Sequence, residues 1–414
     1  MKKKQKILVA MSGGVDSSVT AALLVREGYA VTGAYMKQWS DTRDVTGVCH
    51  WKQDRRDAMR VAAHLNIPLM TLDFEKEYKE WVMSYMFTEY EKGRTPNPDV
   101  MCNKYIKFDA WLNKVREMGF DKMATGHYAR ITSAQKHFST RALQHKSTKA
   151  LQHKSTKAQK HFSTSAQYEL CMAKDIDKDQ TYFLHQLSEE QLAYTMFPLG
   201  EYTKQEVRAM ARKFDLPTAE REESMGICFV GEIPIKEFLQ QKIQKTPGHI
   251  VTEDGDVVGE HEGLAFYTIG QRHIGLQTSD NRQQTDHQKP QYVLEKRFNT
   301  NELVVGQEES ELLYKKEIII GDMHWISGSS FAKATEGIPD YSTATPGRHE
   351  KRNGQDVIFP LKCMVRLRHR QPLQNATFEE DDKIIFEEPQ RAVTPGQFAV
   401  IYKDGVCLGG GVIG

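Results

Sequence analysis

Short apolar runs alternate with helical patterns over the first 130 residues, and this alternation is the strongest constraint that the sequence places on the fold. In chain order it predicts strand, helix, strand, helix, strand and strand at residues 6–11, 17–27, 30–36, 54–65, 69–74 and 122–127. Alternating strands and helices form a parallel sheet that helices cover on both faces. We therefore predict an α/β domain in this part of the chain.

The pattern changes after about residue 230, where short strand-like runs separated by turn residues replace the alternation. These runs lie at 248–251, 264–267, 292–296, 303–305, 317–320, 362–367, 383–386, 399–402 and 406–412. Many short strands at such spacing predict small β-barrels or sandwiches. A chain of 414 residues is also too long for one core. We expect the parallel-sheet domain at 1–230, followed by two β-rich, barrel-like domains at 231–292 and 293–414.

Two segments interrupt this organisation. Residues 142–149 recur as 150–157, within a stretch at 133–167 that has no acidic residue and hardly any large apolar one. Such a composition cannot bury a core, so we expect a flexible insertion between two strands. Residues 327–355, rich in Ser, Thr, Gly and charge, predict a second flexible insertion, as do residues 278–289.

The sequence favours a cytoplasmic protein without a membrane segment. No apolar run approaches the roughly 18 to 20 residues that cross a bilayer, and the apolar run at 7–11 is shorter than a signal-peptide core. The six cysteines, at 49, 102, 171, 228, 363 and 407, include no Cys-x-x-Cys pair. This spacing argues against a zinc ribbon or a disulfide scaffold. The net charge of +1 neither predicts nor excludes a nucleic-acid partner.

The sharpest motif lies between the first strand and the first helix and reads Ala10, Met11, Ser12, Gly13, Gly14, Val15, Asp16, Ser17, Ser18. Two glycines allow a tight turn that brings N–H groups against an anion, while serine hydroxyls and the helix N-terminus add to the attraction. Asp16 is consistent with a contact to the metal that a triphosphate carries. The alternative is a glycine-rich turn with a helix cap. Neither the Walker P-loop nor the dinucleotide fingerprint is present.

Two further clusters each contain a cysteine. Prolines at 96 and 98 hold the chain extended around Asn97 and Asp99, whose amide and carboxylate can meet a base edge. Cys102 follows at the start of a helical pattern over 105–118, where the helix dipole would lower its pKa. Cys228 lies between two glycines at 226 and 231. Taken alone, either cysteine could be a small buried hydrophobe.

The glycine-rich motif resembles the PP-loop of the ATP pyrophosphatase superfamily, and with the two cysteine clusters it resembles the tRNA-specific 2-thiouridylases, bacterial enzymes that make 2-thiouridine. The resemblance covers nearly all of the chain except the insertions. Further matching pieces lie at 125–129, 177–184, 267–272, 368–371 and 394–400. The chain departs from the pattern in the 133–167 insertion and in His369, where Tyr is commoner.

What the resemblance implies can be written residue by residue. Residues 10–17, Met36 and Gly126 would hold ATP with Mg²⁺ as a substrate, and no resident metal or permanently bound cofactor is expected. Cys228 would carry a persulfide, with Cys102 as its partner and Asp99 beside it. The tRNA contacts would be Asn97, Pro98, Asp99, His127, Lys178, Asp179, Gln180, Arg368, His369 and Gln397.

The implied reaction turns the wobble uridine of tRNA into an adenylate, releases pyrophosphate, and replaces an oxygen with sulfur. The persulfide either attacks the adenylate directly or releases hydrosulfide that does so. The implied partners are tRNA and a persulfide donor, either a cysteine desulfurase or a relay protein, and a monomer is expected. The alternatives are a PP-loop ligase or amidotransferase that acts on a small molecule, and a noncatalytic RNA-binding protein.

Overall fold

The computed structural model describes residues 4–38, 50–133, 168–222, 235–272, 274, 290–326, 349–352 and 355–414. Its α-helices are Val15–Arg26 (α1), His50–His64 (α2), Glu75–Glu77 (α3), Ser84–Glu91 (α4), Pro98–Met101 (α5), Leu112–Glu117 (α6), Thr181–Leu184 (α7), Glu189–Ala193 (α8), Lys204–Lys213 (α9) and Ile235–Gln240 (α10). Two π-helical stretches, Tyr78–Met83 and Cys102–Trp111, join α3 to α4 and α5 to α6. Short 3₁₀ turns are Pro198–Glu201, Leu264–Phe266 and Glu311–Leu313.

The strands of the N-terminal part are Lys6–Ala10 (β1), Ala30–Lys37 (β2), Leu69–Asp73 (β3), Lys122–Ala124 (β4), Arg130–Ser133 (β5), Tyr168–Cys171 (β6) and Thr195–Met196 (β7). Those of the middle part are Gly248–Val251 (β8), Val257–His261 (β9), Tyr292–Arg297 (β10) and Glu302–Gly306 (β11). The remaining strands are Tyr314–Trp325 (β12), His349–Arg352 (β13), Gln355–Ile358 (β14), Leu361–Arg366 (β15), Gln374–Phe378 (β16), Lys383–Arg391 (β17), Phe398–Lys403 (β18) and Val406–Ile413 (β19).

The N-terminal sheet is parallel and has the strand order β3-β2-β1-β4-β7. Successive residues of β1 belong to different cores: Ile7 and Val9 pack in one cluster, and Leu8 packs in another. The sheet is therefore buried on both faces, which confirms the α/β prediction. The strand order reverses at β1, so the carboxyl ends of β1 and β4 flank a switch-point crevice, the usual place for a ligand in such sheets.

A second sheet, in the order β10-β11-β8-β9, forms the middle of the molecule. β11 pairs with β8 in parallel and β10 pairs with β11 in antiparallel fashion. The predicted boundary at 292/293 therefore divides one sheet, and the pairing moves the division to the end of β11 at Gly306. Residues 264–267, predicted as a strand, form a 3₁₀ turn because they connect elements and pair with no neighbouring strand.

Six strands, β12-β17-β16-β15-β18-β19, form a barrel that closes through pairing of β12 with β19, as the prediction of a barrel-like domain requires. The β5–β6 hairpin, which flanks the 133–167 insertion, adds to this sheet through pairing of β6 with β19. The N-terminal part and the barrel thus share a continuous hydrogen-bonded sheet. The remainder of the insertion, residues 134–167, lies outside the described residues, as do residues 275–289.

The second predicted insertion is only partly within the described residues. Backbone hydrogen bonds pair β13 with β14 as a two-stranded sheet, which the sequence did not predict; the flexibility of this segment stays a prediction. Main-chain pairing does not need apolar side chains, which is why composition missed it. Residues 327–348 are outside the described part of the chain.

A buried ion pair joins the N-terminal part to the barrel. Arg366 of β15 donates to a carboxylate oxygen of Asp179 at 2.8 Å, and the two side chains are 2% and 0% exposed. The backbone N–H of Ala173 and the hydroxyl of Thr181 also donate to this carboxylate, at 2.9 and 2.6 Å.

None of the helices that the structure describes is long and apolar enough to span a membrane.

This ion pair should contribute strongly to stability, because removing one partner leaves the other charge buried. We expect Asp179→Asn and Arg366→Met each to lower the free energy of unfolding by about 3–5 kcal/mol, measured by urea denaturation. Arg212→Met removes a comparable contact at the surface, 2.8 Å from Glu220, and should have little effect. Equal effects of the buried and the surface substitutions would contradict this assignment.

Candidate active site

The glycine-rich loop forms an open anion cradle at the start of α1. Gly14 is the N-cap residue of α1, so no side chain caps the free N–H groups of the first turn. The hydroxyls of Ser12 and Ser17 lie 3.2 Å apart at the mouth of the loop. Gly13 has φ +81°, and a Cβ there would overlap the carbonyl oxygen of Asp54. Free N–H groups, hydroxyls and a helix N-terminus together suit a phosphate.

Asp16, in the first turn of α1, is held by a lysine that sequence reasoning missed. Lys204, the first residue of α9, donates to both carboxylate oxygens of Asp16, at 2.8 and 2.9 Å. The hydroxyl of Tyr128 donates to the same carboxylate at 2.9 Å. The Thr203–Glu206 capping box indicates where this helix begins, but no feature of the sequence indicates that the helix faces the glycine-rich loop.

Gly126 follows β4 and lies against the cradle, as expected for neighbouring strands at a switch point. A Cβ on Gly126 would come within 2.9 Å of the backbone nitrogen of Ser17, so only glycine fits without a shift. Met36, the other predicted nucleotide contact, lies near the end of β2 and is largely buried. Met11 is buried as well, with its backbone N–H bonded to the carbonyl of Ala34 at 2.8 Å.

Arg221 links the cradle to α2 and was also missed. Its guanidinium donates to the carbonyl of Gly13 at 2.9 Å and to Asp57 at 2.8 Å, and it forms an ion pair with Asp54. Cys228 lies outside the described residues. Arg221 directly precedes Glu222, the last residue described before the segment that carries Cys228. Arg221, just before that segment, is therefore anchored to the PP-loop.

The helix that carries Cys102 begins earlier than predicted. Pro98 is its first residue, and the side chain of Asn97 caps it by accepting a hydrogen bond from the N–H of Val100 at 3.3 Å. Asp99 lies in the first turn, and Cys102 begins the π-helical stretch. Bulges of π-helix often mark functional sites.

Cys102 is buried, with 1% of its surface exposed, and burial raises the pKa of its thiol to about 11. The expectation that the helix dipole lowers this pKa is wrong for this structure, because desolvation is the larger effect. Nearby charges act in both directions: Lys107 lowers the pKa and Asp99 raises it. Lys107 follows Cys102 by five residues, the spacing that a π-helix places on one face.

Lys107 also acts on His127. Burial, with a smaller contribution from the charge of Lys107, holds the pKa of His127 well below its usual value, so the ring is neutral. Its Nδ1 lies 2.7 Å from the hydroxyl of Thr125, and the ring packs against Phe108 and Phe197. His127, Lys107 and Cys102 therefore share one electrostatic environment beside β4.

Gln397, predicted from the resemblance as a tRNA contact, holds the loop before Cys102. Its side-chain N–H₂ donates to the carbonyls of Thr95 at 2.9 Å and Pro96 at 3.1 Å, and its oxygen accepts from the amide of Asn97 at 3.2 Å. Gly396 has φ +88°, and a Cβ there would lie 2.8 Å from that of Arg94. The barrel therefore positions the predicted base-contacting loop directly.

The other predicted tRNA residues fall into two groups. In the first group, Gln180 accepts from the N–H of Tyr128 at 2.9 Å, and the backbone N–H of Lys178 donates to the carbonyl of Asp175 at 3.2 Å. Asp179, between them, is the buried partner of Arg366, so the structure gives this carboxylate an internal role. An RNA contact through Asp179 stays a prediction that this arrangement does not favour.

Arg368 and His369 lie on the barrel side of the same region. Arg368 donates to the carbonyl of Ala392 and to the hydroxyl of Thr394, so it supports the turn that carries Gln397. The His369 ring lies 4.5 Å from that of Phe183, and burial lowers its pKa to about 4. His369 is therefore a neutral ring at physiological pH. Contacts of both residues with tRNA stay predictions.

A parallel sheet with an uncapped glycine-rich cradle at its switch point defines the class of PP-loop nucleotide-binding proteins. Three family models match the chain: "tRNA methyl transferase HUP domain" at residues 5–232, "tRNA methyl transferase PRC-barrel domain" at 236–307 and "Aminomethyltransferase beta-barrel domain" at 351–413. The second match ends next to the last residue of the middle sheet.

Curated relatives match almost the whole chain. The tRNA-specific 2-thiouridylase MnmA of Pseudomonas fluorescens (strain Pf0-1) is 39% identical, over 99% of this chain and 95% of its own length. That of Legionella pneumophila (strain Paris) is 40% identical, over 99% and 98%. The chain belongs to the tRNA-specific 2-thiouridylase family, which confirms the resemblance.

A solved structure described as a 4-thiouridine synthetase–RNA complex with bound ATP is more distant. It is 14% identical, covers 57% of this chain and 50% of its own, and has a TM-score of 0.33. A likeness at this level supports no conclusion about the site.

Gly14 allows a test of the cradle that leaves the fold intact. A Cβ at Gly14 would meet only the Ser12 hydroxyl, at 3.4 Å, and its φ of −84° suits any residue. Because a bound phosphate must approach this backbone closely, Gly14→Ala should weaken ATP binding about tenfold or more by calorimetry, with little change in melting temperature. Gly321→Ala, in open space on β12, is the matched control. Unchanged ATP affinity in Gly14→Ala would place the nucleotide elsewhere.

The burial of Cys102 predicts slow alkylation. With a pKa of about 11, about one thiol in a thousand is ionised at pH 8. Labelling of Cys102 by iodoacetamide, followed by peptide mass spectrometry, should rise about tenfold per pH unit from 7 to 9. The unfolded protein, with an ordinary thiol, should react much faster at pH 8. Rapid labelling of the folded free enzyme at pH 7 would contradict the buried arrangement.

Proposed function

We propose that the chain is a tRNA uridine 2-sulfurtransferase, which uses ATP to activate the wobble uridine of tRNA and replaces its 2-oxygen with sulfur. The observation that carries the proposal is the uncapped cradle of residues 12–17 at the switch point, with the Cys102 helix anchored beside the same sheet. The relatives named above support this chemistry, whereas the family-model descriptions refer to methyl transfer. A PP-loop and two cysteine clusters fit thiolation.

Activation comes first because a uridine carbonyl has no leaving group. The uridine oxygen attacks the α-phosphorus of ATP, pyrophosphate leaves, and the base becomes an adenylate. The N–H groups at the start of α1 and the hydroxyls of Ser12 and Ser17 stabilise the phosphate charge. Mg²⁺ enters with ATP as part of the substrate. Asp16, which already accepts from Lys204 and Tyr128, would contact it through the remaining lone pair of its carboxylate.

Sulfur transfer follows, with Cys228 as the persulfide carrier and Cys102 as the second thiol. In the direct route, the terminal sulfur attacks C2 of the base and AMP leaves. The Cys102 thiolate then attacks the sulfur of Cys228, which forms a disulfide and frees the thiolated base. In the second route, Cys102 attacks first and releases hydrosulfide, which displaces AMP. Both routes end in the same disulfide, which an external dithiol reduces.

Both routes require Cys102 and Cys228 to approach to roughly 2 Å. Cys102 is buried in this structure, so RNA and ATP must open a path to it. The anchor of Arg221 at the PP-loop gives a physical connection between the nucleotide site and the segment of Cys228. Asp99 and Asn97, at the start of the Cys102 helix, are proposed to meet the target base.

The remaining assignments complete the proposal. The persulfide donor is a cysteine desulfurase or a relay protein, and the enzyme acts as a cytoplasmic monomer. Lys178, Gln180, His127, Arg368, His369 and Gln397 line the proposed path of the tRNA. Cys171, Cys363 and Cys407 are buried thiols outside the site.

The test is sulfur incorporation into an unmodified tRNA with a wobble uridine, supplied with ATP, Mg²⁺ and a persulfide donor. Wild type should yield 2-thiouridine and AMP, whereas Cys228→Ser and Cys102→Ser should yield less than about 1% of the thiolated product because each lacks a reacting sulfur. Cys363→Ser, which changes a buried thiol in the barrel, should retain activity. AMP production without RNA would favour a small-molecule ligase, and thiolation by Cys228→Ser would overturn the carrier assignment.

A further inference from the structure

A cavity of about 250 Å³ opens where the three parts of the molecule meet. We call it the junction cleft. Its walls are residues 93–95 of the N-terminal part, 294–298 of the middle sheet, and 312–315 and 393–395 of the barrel. None of these residues belongs to the nucleotide cradle. The proposed mechanism uses none of them except those in the turn that carries Gln397.

The charge of the junction cleft is positive. Lys296 and Lys315 line it, as does Arg94, whose guanidinium is paired with Glu89 at 2.7 Å. Among the lining residues that the structure describes, the one acid is Glu295, which is engaged by Arg297 at 3.0 Å. The ammonium of Lys296 donates to the carbonyl of Gly93 at 3.0 Å and has no acidic partner among the residues that the structure describes. Burial lowers its pKa to about 8, so it remains mostly charged at pH 7.

Two irregularities in strand pairing lie beside these lysines. The register of β10 shifts between Val293 and Glu295, and that of β12 shifts between Lys315 and Glu317. Bulges of this kind redirect side chains and are common beside functional sites. Here they direct Lys296 and Lys315 to one opening from two different sheets.

The rim of the cleft is apolar and exposed. Phe298 is 55% exposed and Leu312 is 46% exposed, although both are large apolar residues. The Phe298 ring covers Gly93, where any Cβ would overlap it. An exposed aromatic ring beside unpaired cations is the combination that binds a nucleotide, since the ring stacks on the base and the cations contact the phosphate.

The cleft is close to the loop that is proposed to meet the target base. Thr95 lines the cleft and precedes Asn97 by two residues, a reach of about 7 Å along extended chain. The N–H of Thr95 is bonded to the carbonyl of Pro395 at 2.9 Å, so the cleft and the loop are held in fixed relation. The opening therefore lies about two residues of chain from Asn97, which is proposed to meet the uridine.

We propose that the junction cleft binds a nucleotide of the RNA substrate close to the target uridine, with its phosphate on Lys296 and Lys315 and its base against Phe298. The inference rests on the proposed function, because it takes tRNA as the substrate. It assigns to the middle sheet a role in RNA binding that no motif in the sequence indicated.

The test compares the tRNA affinity of full-length Lys296→Met, Lys315→Met and Phe298→Ala with that of wild type over a range of salt concentrations. Each lysine substitution should weaken binding and lower the slope of log K against log[salt] by about one, because one phosphate contact is lost. Phe298→Ala should weaken binding about tenfold with the slope unchanged. ATP affinity should stay constant in all three, and Lys362→Met, an exposed barrel lysine outside the cleft, is the control.

The outcomes separate the cleft from the proposed function. Wild type that neither binds nor thiolates tRNA refutes the function itself. Wild type that thiolates tRNA, with Lys315→Met and Phe298→Ala unchanged in affinity and slope, overturns the cleft proposal and leaves Lys296 as a structural link to Gly93. Free UMP provides a second arm: variants that lose UMP binding but bind tRNA normally would assign the cleft to a free nucleotide and overturn the RNA assignment.

Discussion

The side-chain amide of Gln397 connects the barrel to the helix that carries the buried thiol. Its three hydrogen bonds hold the backbone of Thr95 and Pro96 and the amide of Asn97. Asn97 in turn caps the helix of Cys102 through the N–H of Val100. The position of the proposed base-contacting loop is thus determined by a domain that lies 300 residues further along the chain. For this reason we infer that the barrel contributes to the proposed active site.

The proposed nucleotide site is also connected to the barrel. The cradle lies at the switch point of the sheet. The hydroxyl of Tyr128 donates to Asp16 in the cradle, and its backbone N–H donates to Gln180. Gln180 follows Asp179, which forms the buried ion pair with Arg366 of the barrel. Contacts therefore run from the phosphate cradle to the barrel without a break. Burial in this structure shields Cys102 and raises the pKa of its thiol, which would protect a thiol that the proposed cycle needs at only one step.

Local patterns in the sequence predicted much of this architecture. The parallel sheet and the cradle follow from apolar periodicity and glycines, both of which act over a few residues. The predicted boundary separated the β10–β11 hairpin from β8 because the paired residues of β11 and β8, such as Glu302 and His249, lie 53 positions apart in the chain. Lys204 and Arg221 were missed because their contacts with Asp16 and Gly13 join residues 188 and 208 positions apart. The raised pKa of the Cys102 thiol results from its burial, which the spacing of sequence motifs does not indicate.

The most direct test of the account is the stoichiometry of a single turnover. Enzyme carrying a persulfide on Cys228 is mixed with excess tRNA, ATP and Mg²⁺ without an external reductant, and the 2-thiouridine formed and the Cys102–Cys228 disulfide are both counted by mass spectrometry. Both sulfur-transfer routes predict one disulfide for each thiolated uridine. Thiolated tRNA formed without this disulfide would contradict the role of Cys102 on which the account depends.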